Sequence, residues 1–414
     1  MKLAFFGLGS RGDVQPVLRL AARCRRAGHD AWVCASPDFA GLAQAYDVPL
    51  RVTGGSVVEM LSEASSKLTA GFFATVRTFN VILEQQIAAQ FADSEEGVGD
   101  ADAVFGGGLV LAAQSYAAKR AVPYLPVLYC PLLLRSAEQP PVVFPWLSLP
   151  RLANRALWAS AGAFYSRILV EPVSRARAKL GLGPIDDGMR YVFGDAAVYA
   201  ADREVAPVPS DVTSAVGAVG FQGPLGLESD DVLEDSLERF LRAGPPPVYV
   251  GFGSMTDADP ARTTETIVEA ARRAGRRLVL SRGWAKLGAH GRSDNDVHVI
   301  DDAPHGALFP RVAAVVHHAG AGTTHTAARA GVPQVAVPHL LDQAYWSSRV
   351  QALGLGPAPV PRSKLSVERL KTALVDATRP ERTARARAFA ANLPPPADSA
   401  RALLDFVGAL RARV

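Results

Sequence analysis

Two glycine-rich turns hold the residues whose types and spacing could do chemistry. The first, GLGSRGD (residues 7–13), follows the apolar run LAFF and precedes an apolar-periodic stretch at Val14, Val17, Leu18 and Ala21. Its Gly-x-Gly-x-x-Gly pattern, between a strand and a helix, is the form that brings backbone amides close to a pyrophosphate. It ends on Asp13 at the mouth of the helix, with Ser10 and Arg11 beside it. A carboxylate there either caps free amides and meets the positive end of the helix dipole or faces a cleft as a general base. The second turn lies in VVHHAGAGTTHTAARAGVPQVAVPHLLDQ (residues 315–343). An apolar strand ends there in Gly-Ala-Gly-Thr-Thr and a helix begins. His318, the amides around Gly320, Ala321 and Gly322, and the hydroxyls of Thr323 and Thr324 thus collect at a positive helix end, which suits a pyrophosphate. No Gly-Lys-Ser/Thr is present, so this is not a Walker loop. Asp342 and Gln343 follow the next apolar strand, on the same edge.

The first turn alone does not make a dinucleotide site. That fold also wants an acidic residue at the end of the second strand, to hold ribose hydroxyls. Here the strand reads DAWVCAS, with Asp30 at its start, Asp38 beyond Pro37, and Cys34, Ala35 and Ser36 at its end. The remaining histidines read as structural or peripheral: His29 precedes a strand, His317 serves the turn beside His318, and His325 packs on the helix. His339 stands near Asp342, on the same edge. The Asp-x-Asp triplets at 100–102 and 257–259 read as loop or capping aspartates.

The elements that position these turns recur along the chain. KLAFFGL, DAWVCAS, AVFGGG and VPYLPVLYC are strand-like, and VLRLAARCRRAGH and LVLAAQSYAAKRA between them are helix-like. Such alternation predicts βαβ units and a parallel sheet. Residues 131–175, with prolines, spaced arginines and two tryptophans, read as an insertion with its own helix. After residue 222 the pattern restarts with PPVYVGFGSM, then a helix near 263–274 and the strands RRLVLS, DVHVID, AAVVHHAG and PQVAVPH. We expect two Rossmann-like, doubly wound parallel-sheet domains, residues 1–222 and 223–394, facing one cleft. The amphipathic helix within 395–414 is expected to pack back on the first domain.

At 414 residues two domains are natural, and 49% hydrophobic with 20% charged residues is a globular composition. The net charge is only +4, and no basic block carries interleaved aromatics. Nucleic acid is therefore not an expected partner, and a small anionic substrate is. Three scattered cysteines, the lack of a signal-peptide pattern and the lack of an apolar run long enough to span a bilayer predict a cytoplasmic chain with reduced thiols.

HHAGAGTT, RAGVPQVAVP and DQ, with SRGDVQP and GFGSM upstream, resemble the nucleotide-sugar-dependent glycosyltransferases of the GT-B fold. The resemblance is greatest to the bacterial branch that decorates antibiotics and other natural products, and to the related sterol glucosyltransferases. It implies an inverting, metal-independent enzyme that moves a sugar from a UDP- or dTDP-sugar to an acceptor hydroxyl, with no other cofactor. By resemblance Asp13 is the base. Ser10, Ser254, His318 and the turn Gly320, Ala321, Gly322, Thr323 hold the donor phosphates. Trp284, Ala303, Pro304 and His305 lie at the nucleobase, and Asp342 and Gln343 bind the donor sugar. Asp302 replaces the tryptophan of plant-type members, Thr326 replaces their ribose-binding glutamate, and Ala319 stands where glycine is usual.

The aromatics between residues 55 and 175, among them Phe72, Phe144 and Trp146, together with His339, suggest an apolar acceptor. The arginine-bearing run LPRLANRALWASAGAFYSRILV leaves peripheral membrane contact open. Monomer and homodimer are both compatible with the sequence. Three other classes stay in view: an NAD-dependent oxidoreductase, a sugar-nucleotide epimerase, and a non-catalytic transferase-like helper.

Overall fold

The computed structural model describes residues 1–55, 72–144, 148–221, 232–288, 294–395 and 398–412, with side chains of the second segment from residue 83 onward. The expected boundary at 222/223 and the candidate Trp146 lie outside these residues. Phe72 opens a helix, Phe72–Val98, but its side chain is outside them too.

The first sheet is wholly parallel and has seven strands in the order β3-β2-β1-β4-β5-β6-β7. They are β1 (Lys2–Leu8), β2 (Asp30–Ala35), β3 (Leu50–Val52), β4 (Ala103–Gly108), β5 (Tyr124–Leu128), β6 (Ala196–Tyr199) and β7 (Ala215–Ala218). The second is also parallel, in the order β10-β9-β8-β11-β12. Its strands are β8 (Val248–Gly251), β9 (Leu278–Ser281), β10 (Val297–Ile300), β11 (Ala314–His317) and β12 (Gln334–Ala336).

Continuous apolar runs form these strands because both faces are covered by helices. In β1, Leu3 and Phe5 pack into one core while Ala4 and Phe6 pack into another on the opposite face. In β8, Val248 and Val250 face one core and Tyr249 the other. The sequence pattern does not reveal β3, β6 and β7. They are short, and AVGA in β7 has a single bulky residue. Its Gly217 accommodates the ring of Phe406, which a Cβ there would meet at 2.3 Å. Phe406 belongs to the last helix, Ser399–Arg411, whose Ala400, Leu403 and Val407 join the core under the first sheet.

In each sheet the strand order reverses once, between β1 and β4 and between β8 and β11, and such switch points are where ligands enter open α/β sheets. The first glycine turn leaves β1 and the second leaves β11, so each sits at its sheet's switch point. Among the described residues no helix is long and apolar enough to cross a membrane, and all three cysteines are free and buried.

Candidate active site

The first turn is shaped around Asp13. This residue occupies the first turn of the helix Arg11–Arg26, and its Oδ2 accepts from the Ser10 backbone N–H (2.8 Å) and the Ser10 hydroxyl (3.0 Å). The capping role is therefore real, and it orients the carboxylate. The glycines make the room. A Cβ on Gly9 (φ +141) would lie 2.4 Å from Asp13 Oδ2, and one on Gly108 would lie 3.0 Å from Asp13 Cβ. Gly7 instead lets the helix approach the strand, since a Cβ there would meet Val17 at 2.9 Å. Tyr129, just beyond β5, donates to the Asp13 carbonyl at 2.9 Å. A pyrophosphate approaching Gly9 would meet a carboxylate, which removes the physical basis of the NAD reading. Burial raises the Asp13 pKa, against the lowering effect of both Ser10 hydrogen bonds.

The second turn is bracketed from below. His317 is buried; its Nδ1 accepts from Ala319 N–H (3.2 Å), which leaves Nε2–H to donate to Gln334 Oε1 (2.9 Å). Gln334 donates in turn to the Thr324 carbonyl at 3.2 Å. Ala319 takes the left-handed conformation (φ +65), which accounts for the usual glycine there. The turn delivers the chain into the helix Ala321–Arg329 with Gly320 as its cap. The first amides of that helix have no intrahelical acceptor and point out of its end. Thr324, expected beside Thr323, is turned inward, and its hydroxyl donates to the Gly320 carbonyl at 2.9 Å. The Thr326 hydroxyl likewise closes on the Gly322 carbonyl at 2.9 Å.

His318 is held between the two glycine turns of the second domain. A Cβ on Gly320 would meet its Nε2 at 2.5 Å, and one on Gly253 its Cε1 at 3.1 Å. Its Nδ1 is buried without a hydrogen-bond partner, and burial lowers its pKa to about 4, so the ring is neutral near pH 7. Ser254 follows Gly253 in the same turn, half-buried. Trp284 donates its backbone N–H to the Gly253 carbonyl at 3.0 Å, which places it at the rim of this turn.

Asp342 precedes the helix Gln343–Ala352 and accepts from Trp346 Nε1 at 2.8 Å. Burial pushes its pKa up to about 6, and the charge of Asp13 adds to the rise. Asp342 is also close enough to Cys130, beyond β5, to reinforce the burial that raises that thiol. Gln343 is buried and turned to the backbone: its Oε1 accepts from His339 N (2.8 Å) and Leu340 N (3.1 Å). His339 packs edge-on to Phe252, and its Nδ1 donates to the Val337 carbonyl at 2.8 Å. His305 is also engaged, stacked on Phe309 at 4.3 Å and bonded through Nε2 to the Tyr249 hydroxyl at 3.1 Å. Ala303 and Pro304 are half-buried beside it, and Asp302 forms an ion pair across the cleft with Arg11.

The aspartate triplets are occupied structurally. Asp259 caps the helix Pro260–Arg273, Asp257 pairs with Arg362 at 2.6 Å, and Asp102 accepts from the Lys2 backbone at 2.8 Å. Among the described residues no set of three His, Cys, Asp or Glu side chains gathers as metal ligands would. Phe144 lines an apolar cavity of about 260 Å³ with Leu132, Leu133, Trp158, Phe164 and Phe193. Sequence reasoning missed Gly108, Tyr129 and Trp346. The run GGG closing AVFGGG and the spacing of Trp346 four residues after Asp342 were the available signals.

Two doubly wound parallel-sheet domains, each with a glycine turn at its switch point, form the GT-B architecture. Solved structures agree on the fold: the glycosyltransferase VinC in complex with dTDP matches with a TM-score of 0.70 at 19% identity, over 99% of this chain and 100% of that one. Residues 286–406 match the model of the erythromycin biosynthesis protein CIII-like C-terminal domain. Two Amycolatopsis orientalis proteins are each 37% identical to the chain. Glycosyltransferase GtfE matches over 94% of this chain and 93% of its own, and the vancomycin aglycone glucosyltransferase over 98% of both. The chain belongs to this family of antibiotic glycosyltransferases.

Proposed function

We propose that the chain transfers a sugar, with inversion and without a metal, from a UDP- or dTDP-sugar to a hydroxyl of a small, largely apolar natural product. The observation that carries this reading is the meeting of the first turn with the second domain: Arg11, two residues before Asp13, pairs with Asp302, and the charge of Asp13 acts on Asp342. Asp13 takes the acceptor hydroxyl's proton as the oxygen bonds to the anomeric carbon from the face opposite the diphosphate. The bond from that carbon to the diphosphate oxygen breaks, and the nucleoside diphosphate leaves with the electron pair. The free amides at the start of the Ala321–Arg329 helix and a hydrogen bond from neutral His318 stabilise its growing charge. A raised pKa makes Asp13 a better base than a solvated aspartate. Asp342 binds sugar hydroxyls, with Ser254 on the phosphate side and residues 303–305 near the nucleobase. Ser10, whose N–H and hydroxyl both donate to Asp13, serves the catalytic carboxylate instead of the phosphates expected from the sequence.

An apolar acceptor is supported by the cavity at Phe144, which offers hydrocarbon and aromatic walls. Its volume of about 260 Å³ exceeds the roughly 150 Å³ that accommodates benzene in an engineered apolar site. The relatives named for antibiotics and the VinC complex with dTDP support the substrate classes.

The test is a thermal-shift comparison of UDP, dTDP, UDP-glucose, dTDP-glucose and NADH at equal concentrations, followed by product analysis with the donor that binds. Stabilisation by UDP or dTDP, and a product whose anomeric configuration is opposite to the donor's, is the expected result. Stabilisation by NADH alone, or a product of retained configuration, would overturn it.

A further inference from the structure

The helix that opens at the phosphate turn is anchored to the first domain at its other end. Arg329, in its last turn, forms a two-point ion pair with Asp202, Nε to Oδ2 at 2.7 Å and Nη2 to Oδ1 at 2.8 Å. Asp202 lies in the connection between β6 and β7 of the first sheet and is 4% exposed. Its Oδ1 also accepts from the Phe221 backbone at 3.1 Å, at the end of the described first-domain segment, and Arg329 Nη1 donates to the Pro394 carbonyl at 3.2 Å. One buried ion pair therefore ties together the stretches where the chain leaves and re-enters the first domain.

A second path runs through His325. Its Nε2 accepts from the Asp202 N–H at 3.1 Å, so its Nδ1–H donates to the Ala321 carbonyl (2.7 Å), at the start of the same helix. The ring stacks on Phe221 at 4.8 Å and meets the edge of Trp346 at 5.1 Å. Trp346 is the residue whose indole N–H holds Asp342. Arg349, on the helix carrying Trp346, donates to the Val205 carbonyl at 2.8 Å, so the same β6–β7 connection receives both donor-side helices. Tyr199, Ala201, Val205 and Ala206 share one apolar core with Ala319, Ala328, Trp346 and Val350.

The geometry points to Asp202 and Arg329 as positioning residues for sugar transfer. Their clamp, acting through the Ala321–Arg329 helix and through His325, Trp346 and Asp342, sets the donor against the base on the first domain. A nucleotide contacting the second domain alone can bind without this alignment, whereas transfer needs both domains in register. Displacements on the order of 1 Å remote from the chemistry are enough to cost about 100-fold in rate. The inference rests on a donor seated at the phosphate turn, and an Asp13→Asn comparison reports separately on the base.

The test uses the full chain with Asp202→Asn, Asp202→Glu and the milder Arg329→Lys, each compared per folded molecule after a thermal melt. Affinity for UDP and for dTDP is measured by calorimetry, and turnover as nucleoside diphosphate released from UDP-glucose and dTDP-glucose. In Asp202→Asn, nucleotide affinity is expected to stay within about 3-fold of the parent while turnover falls roughly 10- to 100-fold. Arg329→Lys, which keeps the charge but not the fork geometry, should fall between. Asp202→Glu should recover part of the loss. Turnover within twofold of the parent in Asp202→Asn would overturn the inference. So would a parallel loss of affinity and turnover in both Asp202→Asn and Arg329→Lys, which would mark the clamp as a support of the fold alone.

Discussion

Asp13 on the first domain lies within electrostatic reach of Asp342 on the second, and its charge adds to the burial that lifts Asp342 to a pKa of about 6. Two carboxylates brought together across a cleft repel each other. The arrangement persists because each is held locally: Asp13 by the Ser10 N–H and hydroxyl, Asp342 by the Trp346 indole N–H. In the proposed reaction a donor-sugar hydroxyl on Asp342 and the acceptor hydroxyl on Asp13 would satisfy both groups.

Asp13→Asn separates the capping role of this residue from its chemistry. The amide oxygen can still accept from Ser10, so the helix start should survive and Tm should change by no more than a few degrees. Turnover should fall by roughly 100-fold or more, the scale of a positioned base. Near-parent turnover in steady-state assays would remove Asp13 from the base role.

Gly9→Ala tests the space that the first turn reserves. The added methyl would sit 2.4 Å from Asp13 Oδ2, and φ +141 is strained for any side chain. We expect lower turnover with nucleotide affinity preserved, because the damage is confined to the first domain. Calorimetry with UDP and dTDP alongside a turnover assay checks this, and equal loss of both would show a global effect.

The raised pKa of Asp342 predicts a pH-dependent stability difference. Between its ordinary value of 3.8 and about 6, the folded chain keeps a proton that the unfolded chain has released. Stability from this group is therefore full below about pH 4 and lost as pH rises through 6. In Asp342→Asn, which can still accept from Trp346, the Tm difference from the parent should move in the variant's favour from pH 4 to pH 7. Melting curves across that range that stay parallel would show that Asp342 titrates normally.

His305, His317 and His318 work in the opposite direction. Burial lowers their pKa values from 6.5 to about 4, 3 and 4 respectively, so the folded chain binds fewer protons than the unfolded one over that window. Their stabilisation is present above pH 6.5 and lost as pH falls towards 4. His318→Asn should lessen this acid sensitivity. It should also weaken UDP or dTDP binding about 10-fold or more, the worth of a hydrogen bond to a charged group. Unchanged affinity would exclude His318 from the phosphate site.

Much of the candidate site's local geometry was legible because its parts are local. Asp13 and the Gly320–Thr323 turn each sit in one strand-turn-helix unit, where residue order already dictates which amides are free and which side chain meets them. The same locality misled at Thr324, because neighbouring hydroxyls on a helix point in different directions and only packing shows which faces inward. Gln343 reads in sequence as a pair with Asp342, yet its side chain turns to the backbone of residues 339 and 340.

By itself the sequence determined the two-sheet α/β plan and the residue types of both turns, since strand periodicity and turn chemistry operate over a few residues; the glycosyltransferase family came from the resemblance of its motifs. Only the tertiary structure decided that Gly9 and Gly108 make room for Asp13, and that Asp13 and Asp342 share an electrostatic environment. It alone revealed the clamp of Asp202 on Arg329, whose partners are separated by 127 positions. The first of these depends on the pairing of β1 with β4, and the other two on how two independently formed sheets dock, through an apolar core whose members come from both halves of the chain. No local pattern encodes that docking, because each residue contributing to it also looks like ordinary core or surface within its own domain.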